Sequence, residues 1–118
     1  MLDEQFSTQF AEDWISAWNE QDLDKILSHY DENIIFTSPI ISELLANKTG
    51  TLQGKSNLKA YLDKGLQAYP QLKFELLDVL RGMHSIVLYY MNHKGTKTAE
   101  YMEIGSTGKI VKVVANYN

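Results

Sequence analysis

Between Phe6 and Asn19 the apolar side chains recur every three or four residues, at Phe6, Phe10, Trp14, Ile15, Ala17 and Trp18, and so draw one stripe along a helix. A second, shorter helix is predicted from Asp22 towards Tyr30, because Asp22 suits an N-cap and Asp24 adds an acid to the first turn. The corner between the two falls at Glu20-Gln21. Asn33 to Ser38 is β-branched and aromatic and stops at Pro39, which lacks a backbone donor, so a short strand is expected there. Ile40 to Gly54 shows no regular period; Ser42–Asn47 is compatible with a helical turn, and the segment reads as irregular. From Lys55 to Tyr69 the helical spacing returns through Leu58, Tyr61, Leu62, Leu66 and Tyr69, and it ends ahead of Pro70.

After Pro70 the period changes to two, giving four strands separated by Arg81-Gly82-Met83, His93-Lys94-Gly95-Thr96 and Gly105-Ser106-Thr107-Gly108. Helices first and a strand meander afterwards is the segregated α+β pattern. The expectation is one domain over residues 1–118, in which about three helices from the first half cover a curved antiparallel sheet and enclose a pocket. Alternation puts Val87, Tyr89 and Met91 on one face of their strand and Ile86, Leu88 and Tyr90 on the other. On the last strand it sets Val111, Val113, Ala115 and Tyr117 against Ile110, Lys112, Val114 and Asn116. Val87, Tyr89, Met91, Val113 and Tyr117 are assigned to the pocket. Both faces are largely apolar, whereas a lone antiparallel sheet shows water one polar face, so the outer face calls for a second layer. A homodimer through Leu88, Tyr90, Tyr101 and Val114 is expected.

Composition narrows the function. A net charge of −4, with the lysines scattered, removes the electrostatic footprint of nucleic-acid binding. The acidic start, Met1-Leu2-Asp3-Glu4-Gln5, does not resemble a secretory signal, and no apolar run is long enough to span a membrane. Without cysteine there is no thiolate nucleophile and no disulfide, and a cytoplasmic location is expected. His29, His84 and His93 stand in no metal-ligand spacing, which favours surface or capping roles, and no metal site is predicted. The glycines are not spaced as a phosphate cradle, so no cofactor is expected either.

Several segments together resemble the nuclear transport factor 2-like superfamily, in particular its SnoaL-like and ketosteroid isomerase-like members. They are Trp14-x-x-x-Trp18-Asn19-x-x-Asp22-Leu23-Asp24-x-Ile26-Leu27-x-x-Tyr30, Ile34-Ile35-Phe36-Thr37-Ser38-Pro39, Leu52-x-Gly54 and Gly105-x-x-Gly108-Lys109-Ile110. The resemblance implies a cone-shaped fold, frequent dimers, and roles from isomerase, cyclase and epoxide hydrolase to non-enzymatic binding. It also implies a carboxylate base before the proline of the first strand, a phenol on the first helix and a protonated carboxylic acid in the sheet. Here Ser38 stands at the base position and Trp14 at the phenol position; Glu100 is the match for the acid, with Glu103 on the opposite face as the alternative. Ketosteroid isomerisation of the usual kind is therefore not expected. Asp78 and Arg81 resemble a pair used by epoxide-hydrolase members, but alternation sends them to opposite faces and they read as surface residues.

Glu100 shares a face with Thr98, Met102 and Ile104, where desolvation would raise its pKa and suit it to acid/base work; the alternative is a carboxylate facing solvent or paired with Lys97. The predicted pocket is lined by Trp14, Phe36, Ser38, Val87, Tyr89, Met91, Glu100, Met102, Val113 and Tyr117. Its occupant is expected to be a small apolar molecule whose polar end meets Glu100. Two alternatives stand beside simple binding: cofactor-free isomerase, cyclase or hydrolase chemistry with Glu100 as acid/base, and a protein-interaction module that uses the outer face.

Overall fold

Asp3 opens the first helix: its carboxylate accepts from the Phe6 N–H at 3.0 Å, and helix α1 runs Glu4–Asn19 with Phe10, Ala11, Trp14 and Ala17 on its buried side. Asp22 caps α2 (Leu23–Leu27) in the same way, through the Lys25 N–H at 3.2 Å. A computed structural model describes residues 1–118. After α2 the chain enters β1 (Tyr30–Thr37), then α3 (Pro39–Leu45), β2 (Thr51–Gln53) and α4 (Lys55–Ala68). The meander β3 (Glu75–Arg81), β4 (Ser85–Met91), β5 (Lys97–Ile104) and β6 (Ile110–Tyr117) completes it. The α+β class holds, with four helices and six strands.

The segment read as irregular contains α3 and β2. Ser38 caps α3, accepting from the Ile40 N–H at 3.2 Å, and Pro39 takes the first helical position, where its missing N–H costs nothing. Seven residues closed by a left-handed Ala46 (φ 51°) are too few to show a helical period in the sequence. β2 is three residues long and holds on to β1 through the pair Phe36↔Leu52 and its neighbours.

The strands form one sheet in the order β2-β1-β6-β5-β4-β3, in which β1 and β6 are parallel and every other neighbour is antiparallel. β6, last in the chain, is thus central in the sheet. The helices all lie on one face, α1 over β3 and α4 over β1, and between helices and sheet sits the apolar core. Gly82 and Gly105 mark close approaches at strand ends: a Cβ would stand 2.4 Å from Ser85 Oγ and 2.8 Å from Val111 Cγ1.

The register corrects several expectations. In the β4–β5 pair Leu88 stands opposite Glu100, Ile86 opposite Met102 and Tyr90 opposite Thr98, so these six side chains share the inner face. Val87, Tyr89 and Met91 point outward instead of into the pocket, and Leu88 and Tyr90 are buried interior residues, not an outer contact face. The physical reason is that both parities of β4 are apolar, so the pattern alone does not select a face; the hairpin does. Met91 pairs with Lys97 across five connecting residues, and that odd connection sets even-numbered residues against even-numbered ones. On β6 a register shift at the end of the β5 pair sets Ile104 against Ile110, turning Ile110 inward and Val111 outward. Tyr101 and Val114 are on the outer face. Asp78 and Arg81 do fall on opposite faces, paired with Tyr89 and Ile86.

Candidate functional site

Between α1, α3, α4 and the inner face of the sheet lies a pocket with eleven hydrophobic residues among the fifteen that line it. α1 contributes Trp18, α3 Ile40 and Leu44, and α4 Tyr61, Leu62 and Gly65. The turn into β3 adds Tyr69, Leu72 and Phe74, and the sheet supplies Phe36, Tyr90, Glu100 and Tyr117. Asn92 and His93, from the β4–β5 hairpin, close the list of walls. Ring contacts bind the aromatic side together: Phe74 lies 4.6 Å from Tyr90 and 5.4 Å from Trp18, centroid to centroid.

Of the predicted lining residues the fold brings Phe36, Glu100 and Tyr117 to this cavity. Trp14, Met102 and Val113 are buried in the core beside it, Trp14 donating its Nε1–H to the Tyr30 hydroxyl at 3.1 Å. Ser38 is buried and engaged as the α3 cap. Val87, Tyr89 and Met91 are on the far side of the sheet. His93, read as a surface or capping residue, is a pocket wall packed against Tyr69 with ring centroids 4.3 Å apart and planes tilted by 48°. Nothing in a loop sequence signals that position, whereas Tyr61, Leu62 and Tyr69 were already visible as the stripe of α4.

Glu100 is 3% exposed. The Tyr90 hydroxyl donates to its Oε1 at 2.7 Å, while Oε2 has no hydrogen-bond partner within the protein. Burial pushes the carboxyl up to about 7, and the Tyr90 hydrogen bond pulls back only part of that rise. The carboxylate in turn disfavours a second negative charge near it. Tyr30, Tyr61, Tyr90 and Tyr117 all have raised pKa values, first through burial and then, for Tyr30, Tyr90 and Tyr117, through the charge of Glu100. For Tyr61 the Ser38 hydroxyl acts in the opposite direction and Glu100 adds to the rise. The outcome is one ionisable carboxyl among phenols that stay protonated donors at neutral pH.

Two other buried polar groups are unpartnered in the pocket: the Trp18 Nε1–H and both ring nitrogens of His93. Trp18 stands close enough to Tyr30 to favour that phenol's anion without making a hydrogen bond to it. His93 has a lowered pKa, because burial disfavours its cation and Lys94 repels it, so it stands as a neutral imidazole with one donor and one acceptor nitrogen. No group of three or more His, Asp or Glu side chains is placed to hold a metal ion, and no helix is long and apolar enough to cross a membrane.

Comparison with known proteins agrees with this architecture. No curated protein matches the sequence. A SnoaL-like protein of unknown function from Burkholderia thailandensis is 36% identical, with 98% of this chain and 97% of that one covered at a TM-score of 0.95. More distant structures share the fold alone. One is a nuclear transport factor 2-like protein of unknown function from Burkholderia xenovorans (18% identity, TM-score 0.76, 98% and 84% coverage). Another is SalBIII, an epoxide hydrolase/cyclase-like enzyme of pyran ring formation in the polyether salinomycin (16%, 0.74, 100% and 95%). The profile of the SnoaL-like domain matches residues 11–113, nearly the whole of the helix-and-sheet unit described above, and the chain belongs to that family.

Proposed function

We propose that the pocket takes up a small, mainly apolar molecule and that Glu100 meets its polar end. The observation that carries this reading is Glu100 Oε2, a buried carboxylate oxygen without a protein partner in a wall otherwise dominated by apolar side chains. A native fold leaves few such atoms unpaired, because each forfeits hydrogen bonds to water with no replacement. A ligand hydroxyl or carbonyl supplies the missing partner. A cysteine-free acidic chain suits a cytoplasmic setting for this binding.

The same carboxyl supports an enzymatic reading. A group that titrates near neutrality is half acid and half base under working conditions, the best compromise for moving a proton. As carboxylate, Glu100 takes a proton from a carbon next to a ligand carbonyl; as acid, it returns that proton at a second position or to a leaving oxygen. Tyr61 and Tyr117, held protonated, are donors for negative charge developing on the carbonyl oxygen. Such a cycle is an isomerisation or a ring closure or opening and uses no cofactor. Ser38 does not replace the base.

On the outer face, Leu80, Val87, Tyr101 and Val114 lie side by side across four strands, with Leu80 53% exposed. We infer that two copies of the chain pair through this row, since an apolar patch continuous over four strands is more than a monomer normally leaves open.

The binding reading is tested by thermal unfolding of wild-type and Glu100→Gln protein against hydrophobic ketones, lactones and epoxides. A ligand present at about 100 times its Kd stabilises by roughly 2.7 kcal/mol. A chemotype that stabilises the wild type and not the variant supports the reading and names the compounds to assay for turnover. No stabilisation by any member of the panel overturns it.

A further inference from the structure

We propose that the molecule bound in this pocket is an elongated one that carries two polar groups, one at each end, the first held by Glu100 and the second by His93. The inference rests on the small-molecule reading above and narrows it. Its basis is the distribution of unsatisfied polar atoms. A pocket made for a wholly apolar guest needs none, and one made for a guest with a single polar end needs one cluster. Here the unpartnered atoms occur in separate parts of the wall: the Glu100 carboxylate oxygen on β5, both imidazole nitrogens of His93 in the β4–β5 hairpin, and, as a further donor, the Trp18 Nε1–H on α1, whose ring also meets Phe74.

The separation follows from the sheet. Asn92 N–H bonds to the Thr96 carbonyl, so the hairpin base is level with Thr96, four residues from Glu100. At about 3.3 Å per residue this is roughly 13 Å of backbone. A chain of ring contacts links the two ends: Tyr90, bonded to Glu100, lies 4.6 Å from Phe74, and Phe74 lies 6.5 Å from His93. The rings of that wall are tilted to one another by 39° and 42°, so they present edges as well as faces to the apolar body of a ligand that spans the two ends. The hairpin itself is firmly held. Asn92, 6% exposed, donates to Thr96 and Thr98 side chains and accepts from the Lys94 N–H, which keeps His93 in position rather than free to swing out. A ring packed against Tyr69 at 4.3 Å, tilted by 48° and with both nitrogens unused, is placed to meet a partner in the cavity.

Three probes of one shape read the two ends separately: naphthalene, its mono-hydroxyl derivative, and the diol with a hydroxyl at each end of the long axis, each titrated by calorimetry. In wild-type protein the affinity rises by roughly five- to tenfold with each hydroxyl added. His93→Phe and Glu100→Leu each bring the diol down to the affinity of the mono-ol. Neither moves the mono-ol by more than about twofold, because it turns to whichever group remains. His93→Gln, which keeps a donor and an acceptor, restores part of the diol affinity, and circular dichroism verifies that all variants are folded. A diol that binds wild-type protein no more tightly than the mono-ol overturns the inference. So does a His93→Phe variant that weakens all three probes alike, since His93 would then be packing only. If no probe binds the folded wild-type protein while a member of the ketone, lactone and epoxide panel stabilises it, this inference falls and the small-molecule reading stands; if neither set binds, both fall.

Discussion

On β4, Ile86, Leu88 and Tyr90 are buried under the helices, while Val87, Tyr89 and Met91, one residue along, are half-exposed on the other side of the same strand. The two sets are alike in hydropathy, yet they live in different solvents. The inner set shares its face with a buried carboxyl, Glu100, and with the hydroxyls gathered around it; the outer set continues into Tyr101 and Val114 and no element of the chain covers it. What separates the faces is the placement of polar groups that only one of them can charge for. A carboxyl on the inner face is expensive and therefore informative, whereas Glu103 on the outer face, accepting from Tyr101 at 3.1 Å, has water at hand.

The contrast is broken most severely by exchanging solvents. Leu88→Asp places an unpaired charge in the core and costs about 4 kcal/mol, enough to unfold much of the protein, as urea titration followed by circular dichroism will register. Val87→Asp on the outer face costs the single chain about 1 kcal/mol or less, but it separates the proposed dimer, so the sedimentation mass halves. A wild type that already sediments as a monomer defeats the pairing proposed for that face.

A smaller effect than that of Leu88→Asp comes from the carboxyl itself. Its pKa is raised in the folded state to about 7 from an ordinary 4.5, so the native protein holds a proton that the unfolded chain releases between those values. The stability contribution is complete below about 4.5, is lost progressively as the pH rises towards 7, and stays lost above it. The loss is on the order of 3 kcal/mol. Urea midpoints for the wild type should therefore fall between pH 5 and 8, and Glu100→Gln should flatten that slope. A wild-type slope equal to the variant's would mean that Glu100 is ionised throughout. Smaller than the carboxyl's effect is that of Tyr30→Phe, which leaves the Trp14 Nε1–H without its acceptor and costs about 1–2 kcal/mol in the same titration.

Some of this was open to a reader of the sequence. Strict alternation from Thr98 to Ile104 was enough to set Glu100 on one face with Met102, because Tyr101 and Glu103 between them are the amphipathic set. The stripes of α1 and α4 gave the helices that cover the sheet, although none of the pocket residues expected from the sequence lay on α4. β4 was not readable in the same way, since a strand apolar on both faces has no parity signal; its face is fixed by the pairing of Met91 with Lys97, a matter of turn length and not of hydropathy. Ile110 was lost to the irregularity beside it, and α3 to its length. His93 was hidden for a further reason: its role depends on Tyr69, twenty-four positions earlier in the chain, and on an Asn92 network that only the closed hairpin creates.

The parallel pairing of β1 with β6 governs how the chain comes to be folded during its synthesis. Phe36 has Leu52 on one side, but its parallel neighbour on the other is Val113, and seventy-six residues separate the two in the chain. At translation speeds of about 5–20 residues per second that is roughly 4–15 s in which the first strand has only the short β2 beside it. Throughout that interval α1 and α4 have no finished sheet to cover, so the aromatic rings destined for the pocket stay accessible to chaperones. The cavity is completed late, by β6, the last of the six strands of the sheet to be translated.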